Sequence, residues 1–90
     1  MKKSVKTEKM KVAASSKPNK VAGAIARALR DNATVELYAV GASAVNQAVK
    51  AVAIATSFVA EKQLTCIPGF CDVSLEDETK TGIKITINAA

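Results

Sequence analysis

The stretch VGASAVNQAVKAVAIATSFVA, residues 40–60, is the longest apolar segment of the chain and consists mainly of alanine and valine. At the helical period of about 3.6 residues per turn, one stripe collects Val45, Ala48, Val49, Val52, Thr56 and Val59. A second stripe nearly opposite collects Gln47, Ala51, Ile54 and Phe58. A helix that lies only on its own sheet needs one apolar face. The second face therefore predicts a further packing partner for this helix.

The segments before this helix predict a strand, a helix and another strand. TVELYAV (34–40) alternates, with Val35, Leu37 and Ala39 facing one way. SSKPNK (15–20) opens a helix that should run to about residue 30, because proline suits a first helical turn. Either Ser16 or Lys17 should hold the cap position, and Ser16 has the better capping chemistry. KMKVAA (9–14) is a short strand candidate with Met10 and Val12 on one face.

The segments after the helix predict a hairpin. LTCIPGFCDVSL (64–75) is predicted to be a strand interrupted at Pro68-Gly69, which makes it an edge or bulged strand. EDETKTG (76–82) should form the turn, and IKITIN (83–88) alternates cleanly. The order is β-α-β-α-β-β, and right-handed crossovers place both helices on one face of the sheet. We therefore predict an α/β two-layer sandwich with a four-stranded mixed sheet whose other face is uncovered.

The chain is long enough for a single domain with one modest core. We assign residues 10–90 to this domain and residues 1–9, MKKSVKTEK, to a flexible basic arm. The arm has no signal-peptide pattern, and no segment is long enough to span a membrane. We therefore expect a soluble cytoplasmic protein and leave association with the nucleoid open.

Positive charge is concentrated at the start of the chain. Residues 1–30 hold nine lysines or arginines against Glu8 alone, whereas residues 31–90 hold four lysines against seven acids. This asymmetry indicates a polyanionic partner. The free N–H groups of a helix beginning at Pro18 favour phosphate, and Lys17, Lys20 and Arg27 would extend that surface along the helix. A capped helix with a solvated basic face explains the same residues without a ligand.

The sequence argues against catalysis and against a metal site. There is no histidine, and no serine or lysine stands beside an evident base. Cys66 and Cys71 do not have a zinc spacing. We expect them to be buried free thiols on opposite faces of one strand. We predict no enzymatic activity, no metal, no cofactor and no small-molecule substrate.

Three stretches, SSKPNKVAGAIARALR, GASAVNQAVKAVAIA and CIPGF, closely resemble the stage V sporulation protein S family over about residues 9–88. That family is similar in fold to Alba, a chromatin-associated protein with the same order of elements. The resemblance implies binding of DNA, or of RNA, and a regulatory part in sporulation. It also implies a homodimer or higher oligomer, such as a tetramer, that forms through the second helix and the last two strands.

The resemblance also suggests which residues act. Alba-like proteins contact nucleic acid through basic residues before the first helix, which Lys17 matches, and through the last hairpin. The hairpin departs from that pattern, because residues 76–80 read EDETK and three acids near phosphate would repel it. The predicted nucleic-acid contacts are Lys11, Lys17, Asn19, Lys20 and Arg27. The predicted oligomer contacts are Gln47, Ala51, Ile54 and Phe58.

Two alternatives to a DNA-binding regulator remain open. One is an oligomeric scaffold that regulates sporulation through protein partners alone, which the acidic hairpin and the scarcity of aromatic side chains favour. The other is an RNA-binding protein of the same fold. With few aromatics, a duplex recognised by shape and phosphates suits the sequence better than stacked single strands.

Overall fold

The computed structural model describes residues 6–90 and contains four strands and two helices. In chain order these are β1 Lys6–Val12, α1 Pro18–Arg30, β2 Ala33–Ala39, α2 Ala42–Phe58, β3 Leu64–Leu75 and β4 Glu78–Ala89. The strands form one sheet in the order β1-β2-β4-β3. β1 and β2 are parallel, whereas β4 is antiparallel to both of its neighbours. The predicted fold class is confirmed.

The core lies between the sheet and the helices, and alternation in the strands produces it. Val35 and Leu37 of β2 are fully buried, as is Ile87 of β4, which pairs with Val35. Because successive side chains of a strand point to opposite faces, Thr34, Glu36 and Tyr38 lie on the face away from the helices. We call this second side of the sheet the open face.

The alanines of α2 are explained by packing on two sides within the same chain. Ala44, Ala48, Ala51 and Ala55 are all buried, and α2 contacts α1 as well as β1 and β2. Small side chains let the backbones of these elements approach one another closely. The second packing partner predicted for α2 is therefore α1 of its own chain.

The predicted bounds of α1 are confirmed, but the residue with the better capping chemistry, Ser16, does not cap the helix. Lys17 holds the cap position, without a side-chain hydrogen bond to the helix, and Pro18 begins the first turn. The Ser16 hydroxyl instead accepts a hydrogen bond of 2.9 Å from the Ala13 backbone N–H. That bond stabilises the turn that brings the chain from β1 into α1.

β1 begins earlier than the sequence predicts. The strand is Lys6–Val12 rather than 9–14, and all seven of its residues are in register with β2. Residues 6–9 of the predicted arm are thus part of the sheet, while residues 1–5 lie outside the described residues. The pattern is weak here because β1 is an edge strand, so that most of its side chains meet water. Met10 and Val12 do face the core together, as predicted.

β4 is longer than predicted, because it extends beyond β2: it has twelve residues, so ETKTG belongs to β4 rather than to the turn. β3 has the predicted bounds, but the interruption predicted at Pro68-Gly69 is wrong, since β3 pairs with β4 continuously from Leu64 to Leu75. β3 is an edge strand, as its proline predicts. A Cβ at Gly82 would lie 2.7 Å from the Ala39 carbonyl oxygen. Glycine at this position lets β4 pass the end of β2 closely.

Candidate nucleic-acid interface

Three of the predicted nucleic-acid contacts lie together at the start of α1. Lys17, Asn19 and Lys20 are exposed, and no acidic residue lies in the first helical turn. Pro18 has no N–H, and the Lys20 N–H donates a hydrogen bond to the Lys17 carbonyl oxygen. The Asn19 N–H is therefore the donor that this turn leaves for an anion, at the positive end of the helix dipole. The two lysines beside it add to the positive potential.

Arg27 extends this surface along the helix. It lies seven residues after Lys20, about two turns further along and on the same side, and it is exposed. The ion pairs found in residues 6–90 involve Arg30 and Lys80, so Lys17, Lys20 and Arg27 have no carboxylate partner among these residues. We call these three residues the α1 basic face.

Arg30, which was not predicted as a contact, is bound within its own chain. Its guanidinium donates a hydrogen bond to the Phe58 carbonyl oxygen. It also lies 3.6 Å from the Glu61 carboxylate. These contacts fasten the end of α1 to the end of α2, and they leave Arg30 less available than Arg27 for a phosphate.

The structure separates Lys11 from the α1 basic face. Its neighbour Val12 is buried on the helix side, so Lys11 points to the open face, beside its register partner Tyr38. The five predicted contacts therefore form two groups on different sides of the domain. Lys9 and Lys84, which sequence reasoning missed, lie on the open face with Lys11, because Lys9 is in register with Glu36 and Lys84 with Tyr38.

The end of the hairpin carries negative charge near Lys11. Glu76, Asp77 and Glu78, which we call the acidic tip, line a cavity together with Lys11. Glu78 also lies 4.0 Å from Lys80. These carboxylates would repel a phosphate chain, so the acidic tip has the wrong charge for the hairpin contact that the family resemblance implies.

The predicted oligomer contacts are corrected in part. Ala51 has no exposed surface, because it is packed inside the chain's own core and cannot touch a second copy. The Gln47 side-chain amide donates a hydrogen bond of 2.8 Å to the Ser16 carbonyl oxygen, so it is used within the chain. Ile54 is half-buried against the core. Phe58 remains 44% exposed.

A different apolar surface is left uncovered. Phe70 is 82% exposed and Val49 is 53% exposed, and both line a cavity of about 500 Å³ together with Val45 and Ile83. We call these four residues the apolar patch. It lies on the helix side of β3 and β4, where α2 does not reach across the sheet. The sequence signal that could have indicated the apolar patch was the aromatic residue of CIPGF, directly after the Pro-Gly pair of an edge strand.

The two cysteines are free, but they are not buried as predicted. Cys66 is exposed and Cys71 is partly exposed. They lie on opposite faces of β3, in register with Ile87 and Gly82 respectively. Burial fails because β3 is an edge strand: Cys66 faces the helix side where the helices make little contact with β3, and Cys71 faces the open face. Within residues 6–90, no three Cys, Asp or Glu side chains are grouped closely enough to hold a metal ion.

Neither helix in residues 6–90 is long and apolar enough to cross a membrane.

Comparison with known proteins supports the fold and shows the family. The structure is similar to that of Alba from Thermoplasma volcanium, with a TM-score of 0.65 and 16% sequence identity. The similarity covers 90% of this chain and 99% of that chain. At 16% sequence identity, this similarity shows a shared fold and nothing more. The family model described as stage V sporulation protein S (SpoVS) matches residues 8–90. The chain therefore belongs to the SpoVS family.

Proposed function

We propose that this protein is a non-enzymatic regulator of sporulation that binds nucleic acid, with duplex DNA as its main ligand, and acts as a homodimer in the cytoplasm. Membership of the SpoVS family supports the part in sporulation. The Alba-like fold supports nucleic-acid binding. The observation that carries the proposal is the α1 basic face, an exposed row of cations beside a helix N-terminus with no carboxylate partner in residues 6–90.

The α1 basic face would bind phosphates rather than bases. Lysine and arginine on an exposed helix form flexible charge-assisted contacts, which position a protein on nucleic acid but carry no sequence information. Asn19 adds a neutral donor at the same helix end. The basic residues of the N-terminal segment would add non-specific attraction. We therefore expect binding with little sequence preference.

The apolar patch is the surface that we assign to the homodimer. Phe70 of β3 and Val49 of α2 are both exposed apolar side chains. Large uncovered apolar surfaces on small domains are typical of subunit contacts. The resemblance to Alba-like dimers, which form through the second helix and the last two strands, supports this assignment. A dimer would present two copies of the α1 basic face to one ligand.

A mobility-shift titration over a range of salt concentrations tests the binding, with duplex DNA, single-stranded DNA and RNA as probes. About four to six phosphate contacts predict a log–log slope on the order of −4 to −5 for duplex DNA. Lys17→Glu with Lys20→Glu should abolish the shift. The matched control, Lys50→Glu with Lys62→Glu, changes the net charge equally but lies outside α1.

Three results would contradict this mechanism. They are binding that does not depend on salt, binding that survives the α1 substitutions, and equal loss in the control variant. A chain that dimerises but binds none of the probes would instead support the oligomeric scaffold, for which the exposed apolar patch is the favouring observation.

A further inference from the structure

The open face of the sheet carries the chain's single tyrosine between lysines. Tyr38 lies in β2, in register with Lys11 on one side and with Lys84 on the other. Glu36, two residues earlier on the same face, is in register with Lys9. Both helices lie on the opposite side of the sheet, so within residues 6–90 neither helix covers these side chains.

The tyrosine ring is held in place. Its hydroxyl donates a hydrogen bond of 2.6 Å to the Glu36 carboxylate on the same strand. This bond fixes the direction of the ring. A fixed aromatic ring needs little further ordering when a flat ligand stacks on it.

A groove runs between this tyrosine and the hairpin. Two adjoining cavities of about 280 and 320 Å³ share Lys11, Tyr38 and Val73 among their lining residues. The groove therefore has an aromatic wall, an aliphatic wall and a cation at its side. At one end it reaches Ser16, next to the start of α1. At the other end it is bordered by Lys9 and Asp72.

We propose that this groove binds a segment of single-stranded nucleic acid, with one base inserted between Tyr38 and Val73 and the flanking phosphates on Lys9, Lys11 and Lys84. Every base has a flat face, so stacking of this kind tolerates any sequence. The bases of a duplex are not free to enter the groove, and this distinguishes the site from the α1 basic face. The inference rests on the proposed function only in that both require nucleic acid to bind.

The groove also accounts for the position of Lys11. That lysine lies on the other side of the domain from Arg27, yet the groove leads from it toward Ser16 and so toward Lys17. A single strand leaving the groove at this end would reach the N-terminus of α1. The acidic tip, which lies near Lys11 in a separate cavity, would keep the strand from continuing along the hairpin.

The chain contains one tyrosine and no tryptophan, so its intrinsic tyrosine fluorescence reports on Tyr38 alone. A base stacked on the ring should quench this emission. We expect quenching of the full-length protein by short oligothymidylate and by short oligouridylate, which compare DNA with RNA. An abasic oligodeoxynucleotide of the same length carries the same phosphates without bases and should bind without quenching. This comparison uses the unmodified protein and does not depend on whether a variant folds.

Variants measure what the ring contributes to affinity for a labelled oligothymidylate, followed by fluorescence anisotropy. Tyr38→Leu should weaken binding roughly tenfold, in line with the stacking of one base. Tyr38→Phe keeps the ring and should bind within about twofold of the unmodified chain. Lys11→Gln removes one lysine from the groove, and its affinity is compared with that of Lys50→Gln. The Lys50→Gln variant loses a lysine on the exposed side of α2 and serves as the control.

The possible failures are distinguishable. If the oligonucleotides bind but the tyrosine emission is unchanged, the groove is not a base-binding site, and the proposed function stands. The same conclusion follows if the abasic oligonucleotide quenches the emission equally. If duplex DNA and single strands both fail to bind, the proposed function fails as well. Equal affinity of the Tyr38→Leu and Tyr38→Phe variants would also overturn the inference.

Discussion

At the scale of single residues, Tyr38 is the side chain whose chemistry the fold alters most clearly. The hydrogen bond that its hydroxyl donates to Glu36 raises the pKa of Tyr38 from 10.0 to about 12, with smaller contributions from burial and from the negative charge of Glu36. Ionisation would break that bond and place two anions side by side. The phenol is therefore held in its neutral form.

This shift predicts how stability depends on pH. The pKa of Tyr38 is higher in the folded chain than in the unfolded chain, so the stabilisation is fully present below pH 10 and is lost as the pH rises toward 12. Absorbance titration of the single tyrosine should show the raised pKa directly. Glu36→Gln should move the pKa back toward 10 and flatten the stability profile over that range. An unchanged tyrosine titration in this variant would contradict the role of Glu36.

At the scale of an element, α2 shows why an apolar pattern alone does not identify a partner. Its second apolar stripe correctly indicated contact with something besides the sheet. The same stripe would serve a neighbouring helix of the chain or a second subunit equally well, because both offer apolar side chains. Only the position of α1, which packs on α2, decides that Ala51 belongs to the core.

The packing of α2 can be tested by enlarging one alanine. Ala51→Leu would insert a larger side chain where no exposed surface remains and should lower the free energy of unfolding by about 1–3 kcal/mol. Ala53→Leu, at an exposed position of the same helix, should change it by less than about 0.5 kcal/mol. Denaturant unfolding of both variants at one protein concentration measures the difference. If Ala51→Leu changed only the oligomeric state, the core position of this residue would be wrong.

At the scale of the whole molecule, the uncovered surfaces differ in character. The α1 basic face is charged, the apolar patch is hydrophobic, and the open face combines lysines with one aromatic ring. Phe70 and Ile67 illustrate the contrast within β3, because both are exposed but point to opposite sides of the sheet. In our assignment, Phe70 faces a second copy and Ile67 does not.

This contrast provides a matched test of the dimer. Phe70→Glu places a charge in the apolar patch and should convert the dimer to a folded monomer in sedimentation experiments, because an unpaired charge is costly in an apolar contact. Ile67→Glu makes the same kind of change at a residue that is 64% exposed on the other face of β3, and it should leave the dimer intact. Dissociation by Ile67→Glu alone would place the subunit contact on the open face.

Local sequence patterns were sufficient to predict much of the architecture. Alternation in TVELYAV and IKITIN, the proline at the start of α1 and the long apolar run of α2 determine the order of the elements and the composition of the core. These patterns are informative because helices and strands repeat at different periods, so a buried face produces a regular spacing of apolar residues in the sequence. The weakest pattern was that of β1, an edge strand with most of its side chains in water.

The tertiary structure alone decided which surfaces remain free and which residues they bring together. Lys11, Tyr38 and Val73 are far apart in the chain, and they share a groove only because β1, β2 and the hairpin meet in that order and register. Burial of Ala51 and exposure of Phe70 likewise depend on how far α1 and α2 extend across the sheet. Periodicity determines which side of an element is apolar, whereas the arrangement of the elements determines whether that side is covered.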